Sequence, residues 1–245
     1  MKIGMFDSGL GGLTVLKEFV KKYPNNIYIY YGDTKNIPYG DKTKQELIKL
    51  IREIITFFEK EKVDMIIIAC GTISSMCLNE IRQMTNILIY DVISPTIEYL
   101  QKTNQNKIGI FATNATINSH VFKTSLKNKK ILEIATQEFV PMIENNKIDL
   151  NITKKYCNQI SSCDVLVLGC THYPLLEQKL KKYLPDVLII NMAIPLLNKV
   201  KLFNDSNLSR EIVSNEIILY FTKKSDTLLQ NINNVLDFPY KIIFL

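Results

Sequence analysis

Several motifs that would settle the class of this protein at once are missing from its sequence. It has five cysteines, at positions 70, 77, 157, 163 and 170, but no CxxC pair. That argues against a zinc or thioredoxin-type centre, so no metal is expected, and an odd count suits free thiols in a reducing cytosol better than a disulfide framework. No apolar run reaches the ~18 residues of a membrane span. The start, MKIGMFDSGLGG, reads as a short strand and a glycine turn rather than a basic segment with a long apolar stretch. No signal peptide or membrane association is therefore expected, and the cytoplasm is the default location. A GxGxxG dinucleotide fingerprint beginning at Gly9 would need glycine at position 14, where Thr14 stands, which disfavours a nucleotide-binding oxidoreductase. There is no RNP-type aromatic signature and no helix-turn-helix pattern. The net charge of +6 comes from scattered lysines such as Lys21-Lys22 and Lys179 to Lys182. They read as a solvated surface that can attract an anionic substrate, and no nucleic-acid partner is expected.

What is present is a regular alternation. The 245 residues suffice for one large domain or two small ones. Strand-like Lys2–Phe6, Asn26–Tyr31, Asp64–Ala69 and Ile87–Tyr90 alternate with helix-like Leu13–Lys22, Lys44–Lys60 and Ser74–Met84. Such alternation indicates βαβ units and a largely parallel sheet, and runs such as MIIIA suit strands covered on both faces. The same grammar then restarts about 100 residues later: KIGIFA at Lys107–Ala112 echoes KIGMF, and DVLVLG at Asp164–Gly169 echoes DMIIIA. The expected fold is α/β, with two similar α/β/α domains built on largely parallel sheets. The first domain is assigned to residues 1–94, completed by 207–245, and the second to 95–206. A helix around Ser209 to Lys223 is expected to return to the first half.

The repeat also places two cysteines alike. Cys70 and Cys170 each follow the carboxyl end of a strand, the edge where open α/β sheets bind ligands. The helix starts that follow offer backbone N–H groups to an anion and favour a thiolate. A lone cysteine at a strand end is more often packing than chemistry. Two at equivalent places point to function. His172, two residues after Cys170, can exchange protons with it, although a structural histidine at a helix start is an equal alternative. Asp7 ends the first strand and suits general acid/base work, or simply caps the next helix. Tyr39 and Gly40 lie in a loop that can line a pocket or merely turn, and Glu144 alone reads as an ordinary surface glutamate.

At these residues the sequence resembles the glutamate racemase family of the aspartate/glutamate racemase superfamily. The matching segments run in family order from Asp7 to Leu176: FDSGLGGLTVL, YYGDTKNIPYG, ACGT, FATNATI, FVPMIE and LGCTHYPLL. The last 50 residues or so match only loosely. The resemblance implies Cys70 and Cys170 as a proton donor/acceptor pair, with Cys70 facing the α-proton of the D-enantiomer and Cys170 that of the L-enantiomer. It implies that Asp7 assists Cys70, that Glu144 and His172 assist Cys170, and that Asp7, Ser8, Tyr39, Gly40, Gly71, Thr72, Thr113, Thr116, Thr171 and His172 fall where substrate binds. It further implies an active site at the interface of the two domains, glutamate as substrate, no cofactor, D-glutamate destined for peptidoglycan, and a homodimer.

One residue departs from the pattern. The family has asparagine after the first cysteine, where Gly71 stands. Glycine keeps the backbone N–H and loses the side-chain amide, a contact worth about 1–3 kcal/mol. Weakened glutamate affinity is therefore expected. A racemase for aspartate or another amino acid, or a weakly active regulatory homologue, stays open at this stage.

Overall fold

A computed structural model describes residues 1–200 and 216–245. In the first half, β1 (Lys2–Asp7), α1 (Leu13–Lys22), β2 (Ile27–Gly32), α2 (Lys44–Lys60), β3 (Met65–Ile68), α3 (Gly71–Met76), α4 (Leu78–Met84), β4 (Leu88–Asp91) and α5 (Ile93–Lys102) follow one another. The second half contains β5 (Lys107–Ala112), α6 (Asn114–Asn118), α7 (Val121–Ser125), β6 (Lys130–Ala135), α8 (Phe139–Glu144), α9 (Leu150–Ile160), β7 (Val165–Leu168), α10 (Glu177–Tyr183), β8 (Leu188–Asn191) and α11 (Ala193–Lys199). The chain closes with β9 (Glu216–Phe221), α12 (Leu228–Val235) and β10 (Lys241–Phe244).

The strands form two all-parallel sheets, ordered β10-β9-β2-β1-β3-β4 and β6-β5-β7-β8. The inner order β2-β1-β3-β4 recurs as β6-β5-β7-β8, so the repeat in sequence is a repeat in topology. Its details recur too. Asp64 Oδ2 accepts from the N–H of Lys2 at 2.7 Å, and Asp164 Oδ2 accepts from that of Lys107 at 2.9 Å. The N–H of Ala69 donates to Phe6 at 2.9 Å, and that of Gly169 to Phe111 at 2.7 Å. Matching main-chain bonds thus fix the segment leading into each cysteine.

Each sheet is covered on both faces, which explains the continuous apolar strands. One core lies between the two halves. It takes Ile3, Met5 and Ile67 from the first sheet, Ile108, Ile110, Val165 and Val167 from the second, and Leu16, Leu100 and Leu196 from helices. The outer faces carry separate cores, Phe6, Ile66 and Ile68 under α2 and Phe111, Leu166 and Leu168 under α9. Helix α2 starts at Thr43 with a reciprocal capping box to Glu46 and buries Leu47, Ile51, Ile54, Ile55 and Phe58 on one face.

Two local expectations are corrected. Residues 216–221, part of the helix expected around Ser209 to Lys223, form strand β9 beside β2. The reason is the period: Ile217, Leu219 and Phe221 are buried, and the residues between them are half-buried. The rest of that expected helix before 216, and the expected boundary near Phe203 to Asn207, lie outside the described residues. The expected helix at Ser74–Met84 is two short helices that meet at Cys77, whose backbone (φ −126°, ψ 2°) leaves the helical region.

Leu196, fully buried in the core between the sheets, tests whether that core holds the halves together. Leu196→Ala is expected to cost about 2–5 kcal/mol and to lower a single cooperative denaturation transition. Two separated transitions would contradict a shared core.

Candidate active site

In each sheet the strand order reverses beside the central strand, β1 or β5, which opens a crevice at the carboxyl ends. Asp7 ends β1 and Cys70 lies two residues past β3; Thr113 follows β5 and Cys170 lies two residues past β7. The two crevices face each other across one cavity of about 390 Å³. Asp7, Ser8, Tyr39, Gly40, Cys70, Gly71, Thr72, Thr113, Glu144, Cys170, Thr171 and His172 all line it. Thr116 does not: it is fully buried behind Thr113, bonded hydroxyl to hydroxyl at 3.1 Å. It can therefore orient Thr113, whose hydroxyl also meets that of Thr72 at 3.1 Å.

The two cysteine sides are electrostatically unlike. Burial, then the negative charge of Asp7, push the Cys70 thiol well above its ordinary value, against the N–H groups of Ile73 and Ser8, which favour the thiolate. Asp7 is fixed from three directions: it accepts from Gly12 N–H at 2.6 Å, from Thr171 Oγ1 at 3.2 Å and from Ser8 Oγ at 3.5 Å. On the other side Cys170 Sγ lies 3.7 Å from His172 Nδ1, and His172 Nε2 lies 3.0 Å from Glu144 Oε1. Burial works against a charged imidazole, but hydrogen bonds to Cys170 and Glu144 and the negative charges there outweigh it, holding His172 well above its ordinary value. One wall thus retains a proton on sulfur, and the other retains one on nitrogen beside sulfur.

The glycine turn after β1 serves this closeness and not a nucleotide. A side chain at Gly11 would overlap His172 Nδ1 and Thr171 Oγ1, so its absence lets the turn pack against the Cys170 loop. Thr14 adds a hydrogen bond from its hydroxyl to the Thr171 carbonyl at 2.8 Å. That contact is the use of the residue that breaks the dinucleotide fingerprint.

Two supporting residues escape a sequence reading. Asp33, the residue after β2, accepts from Tyr39 Oη at 2.7 Å and from Thr222 Oγ1 at 2.8 Å. Burial, then the Asp33 charge, raise the Tyr39 hydroxyl far above its ordinary value, so it stays protonated. Asn231, on α12, donates to the Glu144 carbonyl at 2.9 Å and accepts from Asn146 at 3.0 Å. The only advance signals were an aspartate inside GDTKNIPYG and nothing at all for Asn231. Among the described residues, no group of three or more His, Cys, Asp and Glu side chains is placed to hold a metal ion, and no helix is long and apolar enough to cross a membrane.

Residues 29–198 match the Asp/Glu/Hydantoin racemase family. The chain belongs to that family. It is 35% identical to a glutamate racemase of Hydrogenobaculum sp. (strain Y04AAS1), over 99% of this chain and 95% of that protein. It is 40% identical to a glutamate racemase of Fusobacterium nucleatum, over 83% and 84% of the two chains. The crystal structure of glutamate racemase from Francisella tularensis in complex with D-glutamate superposes with a TM-score of 0.86 at 29% identity, covering 99% of this chain and 97% of that one. An amino-acid racemase accounts for two acid/base walls around one cavity.

The raised His172 depends on Glu144 as both acceptor and charge. Glu144→Gln is therefore expected to lower the pH at which His172 loses its proton. With His120 as the only other histidine in the chain, NMR can follow the two imidazoles separately. An unchanged His172 titration would contradict the pairing.

Proposed function

We propose that this racemase interconverts L- and D-glutamate by two-base proton transfer between Cys70 and Cys170, and that it needs no cofactor to do so. One observation carries the reading: two cysteines at equivalent strand ends of two sheets line a single cavity, each with its own acid/base neighbour. Inverting a carbon centre needs a base on one face and an acid on the other, and groups preset on opposed loops supply both without diffusion.

In the L-to-D direction, the Cys170 side takes the α-proton, with His172 and Glu144 balancing its charge. Cys70, kept as a thiol by burial and Asp7, delivers a proton to the opposite face. In the reverse direction the roles exchange. Charge growing on the α-carboxylate is met by the hydroxyls of Ser8, Thr72 and Thr171, which line the cavity and turn their protons from Asp7 and Thr113 to the substrate when it binds. The relatives at 35–40% identity are named glutamate racemases, which favours glutamate over aspartate. The D-glutamate formed serves peptidoglycan synthesis. On the same family ground we read the protein as a cytoplasmic homodimer that binds neither membrane nor nucleic acid.

Circular dichroism of glutamate without added cofactor tests the activity. Cys70→Ser and Cys170→Ser are each expected to slow racemisation by about 10²–10⁴-fold; near-normal turnover in either would remove that cysteine from the mechanism.

The two enantiomers are equally stable, so kcat/KM must be the same in both directions at any pH. The unlike walls therefore show in how that common value depends on pH. The active pair holds one shared proton, and activity falls on the basic side when that proton is lost. Asp7 raises Cys70, so Asp7→Asn is expected to move the basic limb of the kcat/KM profile to lower pH. The substrate's own ammonium titration is common to both proteins and cancels. A limb that stays put or moves up would show that Asp7 does not set the Cys70 proton.

A further inference from the structure

We propose that Gly71 sets the separation of the two reacting cysteines, by letting the main chain beside Cys70 rest directly against the main chain beside Cys170. The inference rests on the two-cysteine reading and concerns what fixes the gap between the thiols.

The residue is a glycine for space. It opens α3 in helical conformation, and among the described residues no glycine has a positive φ. Alanine would form this helix better. What excludes alanine is the far wall: a Cβ on Gly71 would overlap the carbonyl oxygen of Gly169, with the Gly169 carbonyl carbon at 3.5 Å and Thr116 Oγ1 at 3.7 Å. The atom it would strike is backbone, held by the Gly169 N–H bond to Phe111 at 2.7 Å. No rotamer change can relieve the overlap.

Gly71 and Gly169 are also the residues that follow one cysteine and precede the other. On the opposite flank of Cys170, Gly11 packs in the same way against Thr171 and His172. Cys170 is thus bracketed by two glycine contacts from the first half, and each closes only without a side chain. A side chain at 71 would wedge one flank open, and the distance each proton travels would grow.

This changes the meaning of Gly71. The missing asparagine amide is not simply a lost contact that an asparagine would restore, because asparagine shares the Cβ that does not fit. Gly71→Asn is expected to impair this protein, and Gly71→Ala to impair it similarly.

Racemisation needs both thiols across the gap. Elimination of HCl from 3-chloro-D-glutamate needs one: a single base takes the α-proton, the C–H electron pair becomes the Cα–Cβ double bond, and chloride leaves. The enamine product then hydrolyses to 2-oxoglutarate and ammonium. Comparing the two reactions separates spacing from binding and folding. In Gly71→Ala and Gly71→Asn, the ratio of racemisation to elimination is expected to fall about 10- to 100-fold below that of the wild type. If either variant racemises at the wild-type rate, or if both reactions fall by the same factor, Gly71 does not set the gap. A wild-type protein that racemises no glutamate would instead overturn the two-cysteine reading itself.

Discussion

The packing of two sheets on one shared core is the constraint on which the rest of this structure depends. A reaction that removes a proton from one face of a carbon and returns one to the other needs groups on opposed walls. A single open sheet offers one carboxyl-end crevice, so one sheet can build only one wall. Here the inner faces of both sheets bury Ile67 and Val167 in the same core, and the crevices meet. Polar ties then tighten the seam: Thr14 to the Thr171 carbonyl, Thr171 to Asp7, and Asn231 to the Glu144 carbonyl. These bonds end on residues that carry, or touch, the groups proposed as acid and base, so on that proposal the forces that hold the halves together also aim the chemistry.

The walls are built alike and charged differently. Topology, register and the bonds before each cysteine recur. Yet Cys70 has a buried carboxylate beside it, and Cys170 has an imidazole backed by a carboxylate. Duplicated backbone with unlike neighbours gives one thiol a reason to keep its proton. It places a cation beside the other, the arrangement a one-proton pair requires.

Much of this was legible in the sequence because it depends on short-range pattern. The apolar strands and amphipathic helices follow from periodicity, and α1 and α2 fall at the expected residues. The recurrence at about 100 residues placed Cys70 and Cys170 at matching strand ends. What was not legible depends on contacts between residues far apart. Thr222 reaches Asp33 across 189 positions, and Asn231 reaches Glu144 across 87. Strand β9 is not told from a helix in sequence because IILYF is a continuous apolar run, and only its place beside β2 shows which side chains are buried. Thr116 shares a motif with Thr113 but sits one layer behind it. Gly71 reads in sequence as a lost amide contact, whereas in three dimensions a Cβ there would overlap the Gly169 carbonyl oxygen.

The central claim is that two different groups act on opposite faces, and the isotope at the α-carbon tests it most directly. L-glutamate is incubated with the protein in D₂O, and both enantiomers are analysed by mass spectrometry after a small fraction has turned over. Two opposed bases predict D-glutamate that carries solvent deuterium at the α-carbon from the first turnover, while the remaining L-glutamate stays largely protiated. D-glutamate that retains the original α-hydrogen would mean that one group carries the same proton across both faces, and would contradict the account.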